Sequence, residues 1–309
     1  MSYYKTNAVY RLLELEEVHP FVWVSGNAWM LVYGDQNASP RALVLAFGSS
    51  WSIQKDVTRV AKKIAQKSGI PLLFVKFNDA ADSIDKVGFG RPGQQPCELT
   101  LDQLKDEFQR VGLSVKSGAC GKSVNDATSS AYHNWQRSSL GSIKVTDIDL
   151  IRLSADGEPI EAIELKRSFS PLHEWNPYPV DYVNFNLLLA VCNQSAMRMT
   201  LAYNVRQTKP VFNDDASRFA LFSYGAANSP VRIGQFDYSD FLAGIYLLIG
   251  ARLDCANPPL SRRLLLSNYF HQSTKAIHYV VLNVLGSKAS VNFIKELAST
   301  FDLGFLYFA

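Results

Sequence analysis

Hydrophobic positions along the chain follow two spacings, one typical of helices and one typical of strands. Apolar residues three or four positions apart predict an amphipathic helix over 56–67, and short apolar runs predict strands over 42–47 and 71–77. A nearly continuous apolar run over 181–193 predicts a buried helix, and 197–205 a strand. The other predicted elements are helices over 7–17, 101–111, 124–138 and 238–249 and strands over 21–24, 29–33, 218–224 and 231–236. This mixture indicates an α/β chain with mixed (α+β) sheets.

A segment rich in glycine, proline and aspartate, residues 78–99, is predicted to be a linker or long loop. We therefore expect a domain boundary between residues 78 and 122. This boundary divides the chain into an N-terminal α/β domain over 1–120, a central domain over 121–210 and a C-terminal α/β region over 211–309. The C-terminal region is expected to pack on the central domain or to serve oligomerisation or substrate binding.

The block over residues 7–77 repeats the helix–strands–helix–strand order of the block over 123–206. One interpretation is that the first block is a degenerate copy of the second. The alternative is that two small α/β units share this order by chance.

Residues 144–167 are predicted to form a β-hairpin. The Asp156-Gly157 dipeptide, between two apolar-rich arms, is a strong signal for a two-residue turn. If these two residues are the turn, Ala155 faces Glu158, and this pair sets the register of the whole hairpin.

In that register, two acidic residues of the first arm share a face with a Glu-x-Lys on the second arm. Asp149 faces Glu164 and Asp147 faces Lys166, with Cβ atoms roughly 4.5–5.5 Å apart. Two carboxylates that close repel each other, and a divalent cation about 2.0–2.6 Å from their oxygens fits between them. The residues expected to point into a core on the other face are Ile148, Leu150, Ile163 and Leu165.

A surface hairpin with cross-strand ion pairs is the alternative to a metal site. It accounts for Asp147 opposite Lys166, but it leaves Asp149 and Glu164 as facing carboxylates, which destabilise a sheet. The functional interpretation is therefore preferred.

Composition narrows the class of protein only a little. A net charge of +3 and a pI near 8.5 allow a polyanionic partner without requiring one. The scattered cysteines lack a C-x-x-C motif, so we expect neither zinc nor disulfides but reduced thiols in the cytoplasm. No apolar run is long enough to span a bilayer, and no membrane partner is expected. The stretch 118–123 (GACGKS) is not a P-loop, because the required first glycine is replaced by Lys116.

The hairpin and its neighbouring elements resemble a known nuclease superfamily. Asp149, the Glu164-Leu165-Lys166 triplet and the flanking helix and helix–strand match the α-β-β-α-β core of the PD-(D/E)XK, or restriction-endonuclease-like, nucleases. The Asp-Ile-Asp-Leu-Ile first strand is similar to the members with an acid-x-Asp-Leu-Ile strand, which include Holliday-junction-resolvase-like and restriction-type proteins. The resemblance covers residues 123–206 and implies a restriction-endonuclease-like core flanked by further α/β regions.

The resemblance implies metal-dependent hydrolysis of a phosphodiester. Asp149 and Glu164 would bind Mg²⁺, for which Mn²⁺ would substitute, with the backbone carbonyl of Leu165 as a further ligand. Lys166 would position or deprotonate a metal-bound water or offset charge in the transition state. Asp147 would be a second ligand or an orienting neighbour.

Further residues are expected to take lesser roles. Many members of the superfamily place a glutamate on the helix before the hairpin, where this chain offers Asp126, His133 and Gln136 instead. Tyr182 and Asn186 match the auxiliary position on the helix after Glu-x-Lys. Arg137 and Arg167 are candidates for phosphate contacts. A structural role is the alternative for each of these residues, and for His133 it is the preferred one.

We therefore expect an Mg²⁺-dependent endonuclease of a restriction or anti-mobile-element type that acts on nucleic acid, with double-stranded DNA as the expected substrate. A homodimer or a partner subunit is expected, because cutting both strands usually needs two active sites. The alternatives are a structure-specific repair or recombination nuclease and a nuclease-like protein that binds nucleic acid without cutting it.

Overall fold

The computed structural model describes residues 7–115, 118, 130–206, 214–224, 229–244 and 246–247. The contacts divide the chain into two units, Met1–Tyr238 and Ser239–Ala309. The predicted N-terminal and central domains therefore share one unit, and the chain is not divided between residues 78 and 122. The C-terminal region expected over 211–309 is described only in part, and the end of the helix predicted over 238–249 lies outside the described residues.

The first half of the large unit contains, in chain order, α1 (Ala8–Leu13), β1 (Phe21–Val22), β2 (Ala28–Gly34), β3 (Pro40–Gly48), α2 (Lys55–Ser68), β4 (Leu72–Phe77), β5 (Lys86–Gly90), β6 (Cys97–Thr100) and α3 (Leu101–Arg110). The second half contains α4 (Ala131–Ser139), β7 (Lys144–Asp147), β8 (Leu150–Leu153), β9 (Pro159–Ser168), α5 (Tyr182–Gln194), β10 (Arg198–Arg206), β11 (Asp214–Tyr224) and β12 (Pro230–Asp237). Helix α6 (Tyr238–Ala243) follows β12.

The strands form two six-stranded mixed sheets within the described residues, which confirms the predicted α+β class. The first sheet has the order β1-β8-β9-β10-β11-β12 and the second the order β7-β2-β3-β4-β5-β6. In both sheets the third pair of neighbours is parallel (β9 with β10, β3 with β4) and the other four pairs are antiparallel. The two halves therefore share one topology, and each gives its first strand to the other half's sheet.

The central core lies between the two sheets. Helices α2 and α5 contact each other there, and each also contacts both sheets. Helix α2 buries one stripe of apolar side chains, as its spacing predicts, whereas α5 is apolar nearly all round because it is covered on most sides. A second core covers the other face of the second sheet with residues of α3 and α4, among them Phe108, Tyr132 and Trp135.

The predicted linker over 78–99 is wrong. It contains β5 and the start of β6, which form an antiparallel pair at the edge of the second sheet. Edge strands are short and tolerate glycine, proline and charge, so this composition resembles that of a loop. An exposed ion pair between Lys86 and Glu98 (2.9 Å) joins the two strands.

The helices follow the sequence pattern with small shifts at their ends. The predicted helix over 7–17 ends earlier, at Leu13, and the described part of the helix predicted over 124–138 begins at Ala131. No helix in the described part of the chain is both long and apolar enough to cross a membrane.

Helices α2 and α5 end in the same left-handed conformation, and this gives a matched stability test. The residue after α2 is Gly69 (φ 69°), whereas the corresponding position after α5 is Ala196 (φ 55°). A Cβ at Gly69 would meet no atom within 4 Å, so only the backbone conformation opposes it.

We expect Gly69→Ala to lower the free energy of unfolding by about 1 kcal/mol and Ala196→Gly to raise it by ~0.5 kcal/mol. Urea denaturation with an unchanged m-value measures both changes. Equal signs for the two variants would contradict the explanation.

Candidate active site

The first arm of the predicted hairpin belongs to both sheets. β7 pairs with β2 in the second sheet, whereas β8 pairs with β9 in the first, so the chain crosses between the sheets at Ile148 and Asp149. The backbone N–H of Ile148 donates to the carbonyl of Met30 (2.9 Å), on the second-sheet side. On the first-sheet side, the Asp149 carboxylate accepts the backbone N–H of Leu165 (2.8 Å).

The prediction that Asp147 faces Lys166 is therefore wrong, because Asp147 pairs with Leu31 of β2. A period-two pattern tells which residues share a face, but not which of two sheets supplies the partner strand. Asp147 still lies near the site, since its charge raises the pKa of both Asp149 and Glu164.

The predicted two-residue turn is also wrong. Ser154 and Glu158 close the loop with a backbone hydrogen bond (2.8 Å), so three residues separate them, and Gly157 takes a positive φ of 71°. Such a three-residue loop with glycine in the left-handed position is the next most common hairpin connection.

The predicted register nevertheless holds beside the site, because a bulge compensates for the longer loop. Leu153 pairs with Pro159, but one step further Arg152 pairs with Glu161, so Ile160 is the extra residue. From there the pairs follow the predicted register as far as Leu150 with Ile163, which is the last pair of the ladder. If this register is continued by one residue, Asp149 lies beside Glu164. The four apolar residues expected in a core, Ile148, Leu150, Ile163 and Leu165, are all buried.

The structure brings Asp149, Glu164 and Lys166 together. Asp149 and Glu164 are 3% and 5% exposed, so both carboxyl groups are shielded from solvent. The Lys166 ammonium contacts Glu164 Oε1 at 2.7 Å, and the Tyr10 hydroxyl donates to the backbone carbonyl of Asp149 (3.0 Å). Glu164 Oε2 is buried and has no hydrogen-bond partner among the described residues.

Burial and mutual repulsion make both carboxyl groups hard to ionise. The pKa of Asp149 lies well above its usual range because of burial and the nearby charges of Glu164 and Asp147, and the Leu165 N–H and Lys166 offset this only in part. The pKa of Glu164 is also raised, chiefly by burial, although Lys166 opposes the shift. A cation placed between the two carboxylates would remove this repulsion.

Lys166 is protonated in this arrangement. Burial by itself lowers the pKa of its ammonium, but Glu164, Asp149 and Asp181 outweigh that effect and raise the pKa above its usual value. The ammonium also lies 5.4 Å from the centre of the Phe185 ring in α5. Lys166 therefore supplies positive charge to the site, and its side chain, 30% exposed, forms the part that reaches solvent.

Asp181 is a site residue that the sequence pattern did not identify. It immediately precedes α5, and its charge acts on both Glu164 and Lys166. An acidic residue before the helix that follows a Glu-x-Lys strand was the available signal. Its use requires knowing that this helix begins beside the end of that strand.

The auxiliary residues expected on the preceding helix have structural partners in α4 and the second sheet. The His133 ring meets Trp29 edge-on at 4.3 Å, and burial beside Arg137 lowers its pKa to about 4. Gln136 accepts a hydrogen bond from the Tyr33 hydroxyl (2.7 Å). Asp126 lies outside the described residues.

Two other expected auxiliary residues lie on α5. Asn186 Oδ1 accepts a hydrogen bond from the Tyr224 hydroxyl (2.7 Å), and the Tyr182 ring packs edge-on against Tyr224 at 6.2 Å. Arg167 is half-buried in β9, and alternation along the strand directs it to the face opposite Lys166.

The chemistry of Asp149 and Glu164 suits a small hard cation. The described residues contain no group of three or more His, Cys, Asp or Glu side chains placed to hold a metal ion. Mg²⁺ does not require one, because it is typically held by one or two carboxylates together with waters and substrate phosphate. Two buried, mutually repelling carboxylates and the unpartnered Glu164 Oε2 meet that requirement.

Comparison with protein-family models and with curated proteins finds no match to this chain. The functional argument therefore rests on the geometry and chemistry of the site.

The raised carboxyl pKa values predict how stability depends on pH without metal. The folded protein keeps protons on Asp149 and Glu164 that the unfolded chain has already lost above its ordinary carboxyl pKa. The contribution of these two groups to the free energy of unfolding should therefore fall as pH rises above about 4. Asp149→Asn should flatten this fall, because it removes one of the two repelling groups and keeps an oxygen for the Leu165 N–H.

Urea denaturation in EDTA over a series of pH values measures this difference between wild type and Asp149→Asn. The contribution of His133 cancels in the comparison, since both proteins retain it. Glu98→Gln, which removes an exposed carboxyl, is the control and should follow the wild-type curve. Parallel curves for wild type and Asp149→Asn would show that the pair is not repulsive.

Proposed function

We propose that the protein is a metal-dependent nuclease that hydrolyses phosphodiester bonds of DNA at Asp149, Glu164 and Lys166. The observation that carries this proposal is the buried pair of carboxyl groups of Asp149 and Glu164. Glu164 Oε2 has no hydrogen-bond partner among the described residues, and the Lys166 ammonium lies 2.7 Å from Glu164 Oε1. A purely structural ion pair needs one acid and one base. Here Asp149, Asp147 and Asp181 add acidic charge to Glu164, while Lys166 is the base that offsets it.

The residues present divide the work of hydrolysis in a simple way. Asp149 and Glu164 would hold Mg²⁺ or Mn²⁺, with the Leu165 carbonyl as a further ligand. The bound ion would polarise the scissile phosphate and lower the pKa of a water molecule. Lys166 would then stabilise the negative charge that develops on the phosphate oxygens. The water oxygen forms a new bond to phosphorus, the bond to one sugar oxygen breaks, and that oxygen takes up a proton.

The exposed surface of the segment that follows β9 supports nucleic acid as the substrate. The segment after β9 exposes two aromatic rings, Phe169 (58% exposed) and Tyr178 (52%). The Arg206 guanidinium lies 5.8 Å from the centre of the Phe169 ring. Exposed aromatic rings beside arginine are suited to stacking on bases and contacting phosphates. The free thiols Cys97 and Cys192 are compatible with the cytoplasm, where we place this activity.

A site that only binds nucleic acid is the second candidate, and the ion pair between Lys166 and Glu164 is the observation that favours it. Such a protein would keep its nucleic-acid affinity when the carboxylates are changed and would show no dependence on metal. The two experiments below separate the candidates.

Metal binding should stabilise the folded protein. At a Mg²⁺ concentration tenfold above the dissociation constant, the free energy of unfolding should rise by about 1.4 kcal/mol. Asp149→Asn and Glu164→Gln should lose this increase, whereas Glu98→Gln should keep it. Urea denaturation with and without Mg²⁺ gives the measurement, and an equal increase in all four proteins would place the ion elsewhere.

Cleavage should require the same residues. Glu164→Gln and Lys166→Met, which preserve side-chain size, should each reduce the rate of DNA cleavage in Mg²⁺ by at least ~100-fold. Glu98→Gln and Lys86→Met alter an exposed ion pair of the same type on the second sheet and should cut at the wild-type rate. Plasmid cleavage followed on agarose gels is the assay, and wild-type cutting by Lys166→Met would refute the proposed role of the lysine.

A further inference from the structure

The two halves of the large unit correspond residue by residue around their central hairpins. The connections β2–β3 (Asp35–Ser39) and β8–β9 (Ser154–Glu158) are equally long. Each is closed by a backbone hydrogen bond between its first and last residues (3.0 and 2.8 Å). The fourth residue of each has a positive φ, 57° at Ala38 and 71° at Gly157. A non-glycine residue in this conformation is uncommon, so its presence at the matching position indicates a shared loop geometry.

The ends of the central helices correspond in the same detail. Ser68 at the end of α2 donates its hydroxyl to the carbonyl of Ile64 (2.6 Å), and Ser195 after α5 donates its hydroxyl to that of Val191 (2.5 Å). The next residue is left-handed in both cases. Together with the common strand order and the reciprocal exchange of β1 and β7, these features make the unit an internal pseudo-dimer.

This correspondence identifies the positions in the first half that match the candidate site. Pro40 and Pro159 open the matching strands β3 and β9, and both strands carry a bulge at the next residue. Counted from these prolines, Leu45 matches Glu164 and Phe47 matches Lys166. The pairs Leu31 with Val44 and Leu150 with Ile163 likewise correspond, so Met30 matches Asp149.

The matching positions of the first half are apolar, and two of the three are buried. Met30 is 1% and Leu45 is 0% exposed, and both belong to the central core, against which Phe47 packs. None of the three side chains offers an oxygen ligand for Mg²⁺ or a positive charge for a phosphate. The two described halves therefore combine a twofold-like fold with one set of Asp, Glu and Lys at their matching positions.

We propose that the protein cuts one strand of duplex DNA in each binding event, so that it is a nicking enzyme. This inference rests on the proposed nuclease function. The two strands of a duplex run in opposite directions, and one active site on an oriented protein reaches the phosphate of one strand. Cutting the second strand would take a second site related by twofold symmetry, and the first half, which occupies the related position, lacks the residues for it. Water adds across one phosphodiester bond, and the product is a nicked duplex.

The test uses the full chain with supercoiled plasmid in molar excess and Mg²⁺. Each reaction is repeated at the same total protein concentration, with nine parts of Glu164→Gln protein to one part of wild type. A one-site enzyme should convert supercoiled plasmid to nicked circles, with linear DNA appearing only after them. Dilution with Glu164→Gln should slow the reaction and leave the ratio of nicked to linear product unchanged.

Two results would overturn the inference, and they differ from each other. If linear DNA forms directly from supercoiled plasmid, and dilution with Glu164→Gln shifts the product to nicked circles, two chains cooperate to cut both strands. The nuclease function would then stand and the nicking inference would fall. If neither nicked nor linear DNA forms, and Lys166→Met behaves like wild type, the proposed nuclease function falls and the inference falls with it.

Discussion

The crossing of one strand between two sheets is the constraint on which the candidate site depends. At Ile148 and Asp149 the backbone leaves the second sheet and joins the first, so the ladder between β8 and β9 stops at Leu150 and Ile163. The N–H of Leu165 would lack a partner beyond that point, and the Asp149 carboxylate supplies one. A buried N–H without a partner is costly, so the crossing itself favours an acidic oxygen at this position.

The Asp149 carboxylate lies close to that of Glu164, and the repulsion between two buried carboxylates destabilises the folded protein. Burial and repulsion raise the pKa of both groups, and the Lys166 ion pair relieves only part of the strain. Residues in such arrangements are commonly functional, because stability alone would favour apolar side chains. In the first half of the molecule the matching positions do carry apolar side chains, those of Met30, Leu45 and Phe47.

The shared topology of the two halves shows that the first half has a structural role in the large unit. Residues of the first half are not a separate domain appended to a catalytic core, since β1 and β7 are exchanged between the halves and α2 contacts α5. The first half supplies half of the central core and an edge for β7. It therefore holds the crossing at Ile148 and Asp149 in place, although it carries none of the candidate catalytic residues.

The sequence by itself determined most of the helices and strands and the three central residues of the candidate site. Helical spacing located α2 and α5, and alternation along β9 placed Glu164 and Lys166 on one face with Leu165 on the other, because these periods depend only on local backbone geometry. The register that brings Asp149 near Glu164 also followed from sequence, although the assumed turn was one residue too short and the bulge at Ile160 compensated for it.

Only the tertiary structure decided where the strands pair. The edge of β2 binds β7 and the edge of β8 binds β1 through backbone groups that every residue carries, so no side-chain pattern specifies the exchange. The same long-range pairing removed Asp147 from its predicted position opposite Lys166, and the packing of α5 brought Asp181 to the site. Local periodicity therefore identified the candidate residues of the site, while contacts between distant segments determined which of them lie close together.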